Sequence, residues 1–81
     1  MMTRGNRDSM TIRDLGHNTE AVFTGAREYH HTYSKLRSMG LQKGTRIKVK
    51  RIQGRNIILN ILDLDVELVI DKDLAGVMEV S

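Results

Sequence analysis

The sequence contains no cysteine, proline or tryptophan, and only 4% of its residues are aromatic. Without cysteine the chain forms no disulfide and offers no thiolate as nucleophile or metal ligand. This absence is typical of a reducing cytosol, and the N-terminus shows no apolar leader for secretion. The longest apolar run, residues 57–62, is interrupted by Asn60 and is far shorter than the roughly 20 residues of a membrane helix. We therefore expect a soluble, cytoplasmic protein.

The chain also lacks the patterns on which common enzyme chemistry depends. No GxxxxGK[ST] or GxGxxG motif is present, and no serine has a recognisable base and orienting group in the sequence. The acidic pairs at 63/65 and 71/73 stand in turn-like segments, where aspartate is favoured because it bonds the local backbone. We predict that the protein is not an enzyme.

With 81 residues the chain is long enough for one domain with one small core. A core of this size leaves a net stability of roughly 3–5 kcal/mol. Residues 1–10 are polar and lack periodicity, so we expect them to form a flexible N-terminal segment. The folded domain is then predicted to cover residues 11–81.

Apolar periodicity predicts a mainly β fold. Strand-like alternation is found in five segments, which are 20–24, 46–50, 57–61, 66–70 and 77–80. Between the first two, Tyr29, Tyr33, Leu36 and Met39 recur with helical spacing and predict an α-helix over about 27–39 whose apolar stripe faces the core. A single helical turn is expected near 71–76, with Asp71 as its N-cap. The predicted architecture is a small, partly open SH3-like barrel of about five strands with one inserted helix.

The end of this helix is the most informative stretch of the sequence. Gly40 stands where the residue after a helix takes positive φ, and Leu41 is then placed to fold back onto Leu36. Gly44 marks a second turn directly before the strand that begins with Thr45 and Arg46.

This order of helix, Met39-Gly40-Leu41, Gly44-Thr45 and strand resembles the FeoA family, small cytoplasmic proteins of bacterial ferrous iron uptake. The similarity extends from about residue 11 to residue 80. It implies an SH3-like fold and an accessory role, in which the protein binds the cytosolic, GTP-binding part of the iron permease FeoB. No cofactor is required by this resemblance, although weak binding of Fe(II) or another transition metal is compatible with it.

The resemblance and the predicted loops together suggest a partner-binding surface. We predict that it contains Arg37, Ser38, Gln42 and Lys43 at the helix end, with Arg55 from the hairpin at 53–56 as a further candidate. The surface would be held in shape by a structural motif of five residues, which are Leu36, Met39, Gly40, Leu41 and Gly44.

The chain departs from the family pattern at four places. Lys43 stands where the family often has proline, the hairpin at 53–56 is short, and Asp71 replaces a usual arginine. A glycine of the family is also replaced by Asp65, and aspartate is among the few non-glycine residues that tolerate positive φ.

Histidine supplies a second, weaker hypothesis of metal binding. Adjacent His30 and His31 point in different directions on a helix, so Glu28 and His31, three residues apart, form the better pair. Two ligands on a helix surface predict at most a weak site.

Two further functions remain open at this point. Basic residues concentrate at Arg46, Lys48, Lys50, Arg51 and Arg55, so a small basic barrel that binds nucleic acid is an alternative. Against it, the three aromatic residues fit core positions better than exposed stacking sites. The other alternative is a metal-sensing SH3-like module of a regulator.

Overall fold

The computed structural model describes residues 10–27 and 31–81, which form six strands, two α-helices and a short 3-10 helix. The strands are β1 (Met10–Thr11), β2 (Glu20–Ala26), β3 (Arg46–Gln53), β4 (Asn56–Ile61), β5 (Val66–Asp71) and β6 (Met78–Val80). The helices are α1 (His31–Ser38) and α2 (Lys72–Ala75), and the 3-10 helix covers Ile12–Asp14.

All six strands belong to one antiparallel sheet with the order β1-β6-β2-β3-β4-β5. Strand β2 joins its two parts: Ala21 pairs with Ile47 of β3, whereas Ala26 pairs with Met78 of β6. A register shift after Phe23 bends β2 between these partners, and bulges of this kind increase local twist. The sheet therefore curls around a core but does not close, which confirms the predicted partly open SH3-like architecture.

The N-terminal boundary differs slightly from the prediction. Met10 lies in β1 and pairs with Val80, so it belongs to the sheet and not to the predicted flexible segment. Strand β1 is additional to the five predicted strands. It has only two residues, too few for any alternation to be visible in the sequence. Residues 1–9 lie outside the described part of the chain.

The inward rows of the sheet and the ends of the helices form a single core. The predicted inward residues Ile57, Leu59 and Ile61 are at most 1% exposed, and Phe23 and Leu41 are fully buried. Ile12 in the 3-10 helix and Leu15 directly after it also belong to this core. At roughly 25 cal/mol per Å² of apolar surface, this burial is the main favourable term in folding.

The short helix α2 carries the chain from the sheet edge at β5 to β6. Asp71 is its N-cap as predicted: Leu74 donates its backbone N–H to Asp71 Oδ1 over 2.8 Å. The aspartate that replaces the family's arginine therefore has a structural role here.

The predicted apolar stripe of α1 is only partly correct. Leu36 is buried and Tyr33 packs against the core, where its ring centroid lies 5.6 Å from that of Phe23. Met39, by contrast, is 47% exposed, because the helix ends at Ser38 and Leu41 enters the core beside Leu36 instead. Tyr29 lies outside the described residues.

Candidate functional site

The C-terminus of α1 ends in a Schellman motif that reverses the backbone at Gly40. Leu41 donates its N–H to the Leu36 carbonyl over 3.1 Å, and Gly40 donates to the Arg37 carbonyl over 3.1 Å. These two bonds are the pair that defines the motif. The φ of Gly40 is 114°, as predicted, and Leu41 and Leu36 both belong to the buried core cluster. This reversal fixes the direction in which the chain leaves the helix.

The loop from Gly40 to Thr45 is held by the Thr45 hydroxyl. This group donates to the Gly40 carbonyl over 3.2 Å and accepts the Gln42 backbone N–H over 3.0 Å. The loop is also tied to β2, since Gly44 donates to the Phe23 carbonyl over 2.7 Å and Phe23 donates to Thr45 over 2.8 Å. The loop is therefore held by hydrogen bonds at both ends.

A shallow groove of about 330 Å³ lies between this loop and the turn that connects β4 to β5. The loop contributes Gly40 and residues 42–45, and the opposite wall consists of Ile61, Asp63 and Leu64. Leu64 lies directly over Gly40, where a Cβ on residue 40 would be 2.5 Å from Leu64 Cδ1. The absence of a side chain at residue 40 thus gives Leu64 its position.

Four of the five predicted binding residues lie at this end of the molecule. Gln42 and Lys43 line the groove, and both are exposed. Arg37 and Ser38 are exposed on the last turn of α1. Arg37 extends over the Tyr33 ring at 5.9 Å from its centroid, and Ser38 Oγ donates to the Ser34 carbonyl.

The fifth predicted residue, Arg55, is not near the others. It belongs to the β3–β4 hairpin, at the end of β3 opposite to Lys43, and eight strand residues separate these ends by roughly 25 Å. Its Nη2 lies 2.9 Å from Asp73 Oδ1. Contrary to the prediction, Arg55 therefore does not share one surface with the helix end, because the hairpin at 53–56 follows the end of β3 that is opposite to the loop. Its role in partner binding stays a prediction.

Acidic residues neutralise much of the basic strand β3 and its hairpin. Besides the Arg55 pair, Arg46 lies 3.3 Å from Asp63 and Lys50 lies 2.8 Å from Glu67. Exposed pairs of this kind contribute only about 0–1 kcal/mol each to stability. They nevertheless leave only Lys48 and Arg51, of the five basic residues of β3 and its hairpin, without an ion pair among the described residues, so little unpaired charge is left there for a nucleic-acid interface.

The ion pair between Lys50 and Glu67 changes the pKa of the glutamate. The hydrogen bond from Lys50 Nζ, together with the Lys50 charge, lowers the pKa of the Glu67 carboxyl below its usual value, and Arg51 adds to this effect. The β-bulge between Val49 and Arg51 places both cations on the outer face near Glu67.

The excess of positive over negative charge lies on α1 and the loop that follows it. Residues 31–45 include Lys35, Arg37 and Lys43 and no carboxylate, whereas the other described residues carry eight lysines or arginines and eight aspartates or glutamates. None of the three cations pairs with a carboxylate in the described residues. The excess positive charge of the described chain is therefore local to this end.

The aromatic side chains offer no stacking platform among the described residues. Phe23 is fully buried and Tyr33 packs between Phe23 and Arg37. Single-stranded nucleic acids bind through exposed aromatic faces combined with a continuous basic groove. Neither is found in residues 10–27 and 31–81.

The predicted metal pair lies outside what the structure describes. Glu28 is not among the described residues, and for His31 only the backbone, at the start of α1, is described. In the described part of the chain, no three His, Asp or Glu residues are grouped so that they could hold a metal ion.

Two residues of the site were not identified from the sequence. Thr45 was noted only as part of a motif, although its hydroxyl fastens the loop. Leu64 was assigned to a polar turn, yet it is 55% exposed and lies on Gly40. The sequence did carry a signal for Leu64, which is a leucine between two aspartates in a turn. An apolar residue in such a place has no core position to fill, so it indicates an exposed apolar side chain.

Solved structures of three other proteins are similar to this chain. An iron uptake regulatory protein, FeoA, has 27% sequence identity and a TM-score of 0.75, over 89% of this chain and 95% of its own. The FeoA protein from Chlorobium tepidum has 22% identity and a TM-score of 0.79, over 88% of this chain and 68% of its own. A FeoA-like protein from Clostridium acetobutylicum has 17% identity and a TM-score of 0.76, over 90% of this chain and 85% of its own. No family model and no curated protein matches the sequence significantly.

The open, curled sheet with its single inserted helix places the chain in the class of small SH3-like β proteins. Within that class it has the FeoA-type fold, so the resemblance identified from Leu36, Met39-Gly40-Leu41 and Gly44-Thr45 is confirmed. Neither helix within the described residues has the length and apolar character needed to span a bilayer.

Proposed function

We propose that this protein is an accessory protein of ferrous iron uptake that binds the cytosolic, GTP-binding part of a FeoB-type iron permease. It acts in the cytoplasm by binding and not by catalysis, and it requires no cofactor. The support for a role in iron uptake is the likeness in sequence and fold to an iron uptake regulatory protein, FeoA.

One observation supports binding through the helix end in particular. The loop of residues 40–45 is held by hydrogen bonds at both ends, and residues 31–45 carry three cations and no carboxylate. A rigid surface loses little conformational entropy when a partner binds, so its contacts contribute more fully to affinity. Exposed cations around it accelerate association with an acidic partner.

Isothermal titration calorimetry with the purified cytosolic part of the permease tests the proposal. Lys43→Glu is expected to weaken binding about tenfold, since it reverses a charge in the groove. It should change the free energy of unfolding by less than ~0.5 kcal/mol, because Lys43 is exposed and unpaired.

Lys72→Glu is the matched control for this experiment. It makes the same charge change at the first residue of α2, whose backbone N–H bonds the Arg55 carbonyl at the opposite end of β3. Its affinity should equal that of the parent. Absence of binding by the parent itself would remove the proposed function.

Metal binding by Glu28 and His31 stays a prediction. It is tested by adding Fe(II) anaerobically, or Zn(II), to the labelled protein while the NMR signals of both side chains are followed. Signals that do not move at millimolar metal would exclude the site.

A further inference from the structure

Two exposed apolar side chains lie next to Gly40, and one of them, Leu64, is in the wall of the groove. The described residues include four large hydrophobic side chains that are substantially exposed, and two of these, Met39 at 47% and Leu64 at 55%, flank Gly40. Met39 is left outside the core because Leu41 fills the position beside Leu36. An apolar surface beside a rigid loop suits an apolar anchor residue of a partner.

The charge around the same groove that has no ion-pair partner is positive. Lys43 lies in the groove and Arg37 and Lys35 lie on the adjoining helix, and none pairs with a carboxylate in the described part of the chain. The groove contains one carboxylate, Asp63, whose Oδ1 lies 3.3 Å from Arg46 Nη2 and is therefore compensated. A partner segment here would meet cations without counter-ions.

We propose that the groove docks an acidic segment of a partner protein, in which an apolar anchor residue is flanked by carboxylates. The anchor contacts Leu64 and Met39, and the carboxylates face Lys43 and Arg37. This inference rests on the proposed function only for the choice of partner, because the chemistry of the groove is independent of it. It states which kind of permease segment the protein recognises.

Zero-length cross-linking with a carbodiimide tests this chemistry directly, since the reagent joins a lysine Nζ to a carboxylate in contact with it. The protein and the cytosolic part of the permease are mixed, treated and digested, and linked peptides are identified by mass spectrometry. We expect Lys43 linked to an Asp or Glu of a permease segment that also contains a large apolar residue. Lys72, at the far end of the molecule, should remain unlinked.

Two variants test the separate contributions of Lys43 and Leu64 in this experiment. Lys43→Arg keeps the charge but cannot form the amide, so it should retain affinity within about twofold and lose the cross-link. Leu64→Gln, at an exposed position, should weaken binding about fivefold or more while the protein remains folded by circular dichroism.

The outcomes distinguish this inference from the proposed function. If neither the parent nor any variant binds the cytosolic part of the permease, the proposed function is overturned. Binding that survives Lys43→Glu and gives no Lys43 cross-link overturns the acidic-segment proposal alone. Equal competition by transfer RNA or by phosphatidylserine vesicles, lost in Lys43→Glu, would also overturn it, because the groove would then recognise phosphate and not a protein carboxylate.

Discussion

Replacement of Gly40 by alanine tests the backbone reversal that shapes the site. The φ of 114° lies in the region that L-residues rarely adopt, and a non-glycine residue there costs about 1–2 kcal/mol. The new Cβ would also stand 2.5 Å from Leu64 Cδ1, but Leu64 is exposed and can turn away at small cost. Alanine also lowers the entropy of the unfolded chain, but at a residue with positive φ the net effect of the substitution is a destabilisation larger than the roughly 0.4–1 kcal/mol that this entropy contributes elsewhere.

The net expectation for Gly40→Ala is a loss of about 1 kcal/mol or more in the free energy of unfolding. In a domain of this size, 1 kcal/mol corresponds to about 4–8 °C in Tm. Urea unfolding followed by circular dichroism gives the free energy, and calorimetry gives the Tm. Gly16→Ala is the matched control: its φ is not positive and its Cβ would meet only Thr19 Oγ1 at 3.8 Å, so it should be neutral or slightly stabilising.

Two further variants separate the free-energy cost of positive φ from the cost of the contact with Leu64. Gly44→Ala introduces a Cβ at φ 91° with no atom within 4 Å, so it measures the backbone cost alone. The double variant Gly40→Ala, Leu64→Ala removes the contact and should retain the backbone cost. If Gly40→Ala unfolds within ~0.5 kcal/mol of the parent while Gly16→Ala behaves as expected, the reasoning about residue 40 is refuted.

The other predictions concern the loop, the outer face and the core. Thr45→Val should cost about 1–2 kcal/mol in urea unfolding, because it removes two hydrogen bonds of the loop, whereas Thr24→Val, at an exposed position of β2, should cost less than half as much. The pKa of Glu67, measured by carboxyl NMR, should lie below its usual value and should rise in Lys50→Met. Because the pKa is lowered in the folded state, the stabilising contribution of this pair is present at neutral pH. It is lost as the pH falls through that pKa. Leu41→Ala should cost about 2–5 kcal/mol and leave little folded protein at 37 °C, since Leu41 is fully buried. An unchanged Glu67 pKa in Lys50→Met, or a Leu41→Ala variant as stable as the parent, would contradict these assignments.

Local signals in the sequence predicted the features that depend on single residues. A glycine after an apolar helical stripe identified the reversal at Gly40, and the N-cap at Asp71 followed from its position before a helical turn. Asp65 has φ 52°, as expected for an aspartate in place of glycine. The inward rows of β4 and β5 followed from alternation, because the pleat places every second residue on one face.

Features that depend on tertiary placement were not predictable in this way. The exposure of Met39 follows from the exact residue at which α1 ends, and a period alone does not give it. The separation of Arg55 from Lys43 depends on the full length of β3, including its bulge. The ion pairs between β3 and residues 63–73 decide where positive charge remains, and they require the register of β3, β4 and β5.

The most direct test of the account is chemical-shift mapping of the labelled protein with the cytosolic, GTP-binding part of the permease. Perturbed backbone amides are expected to cluster at Arg37–Thr45 and at Asp63 and Leu64, with the hairpin at 54–55 and α2 unchanged. Perturbation confined to the hairpin and α2, or none at saturating partner, would contradict the claim that the loop held by Gly40 and Thr45 is the binding surface.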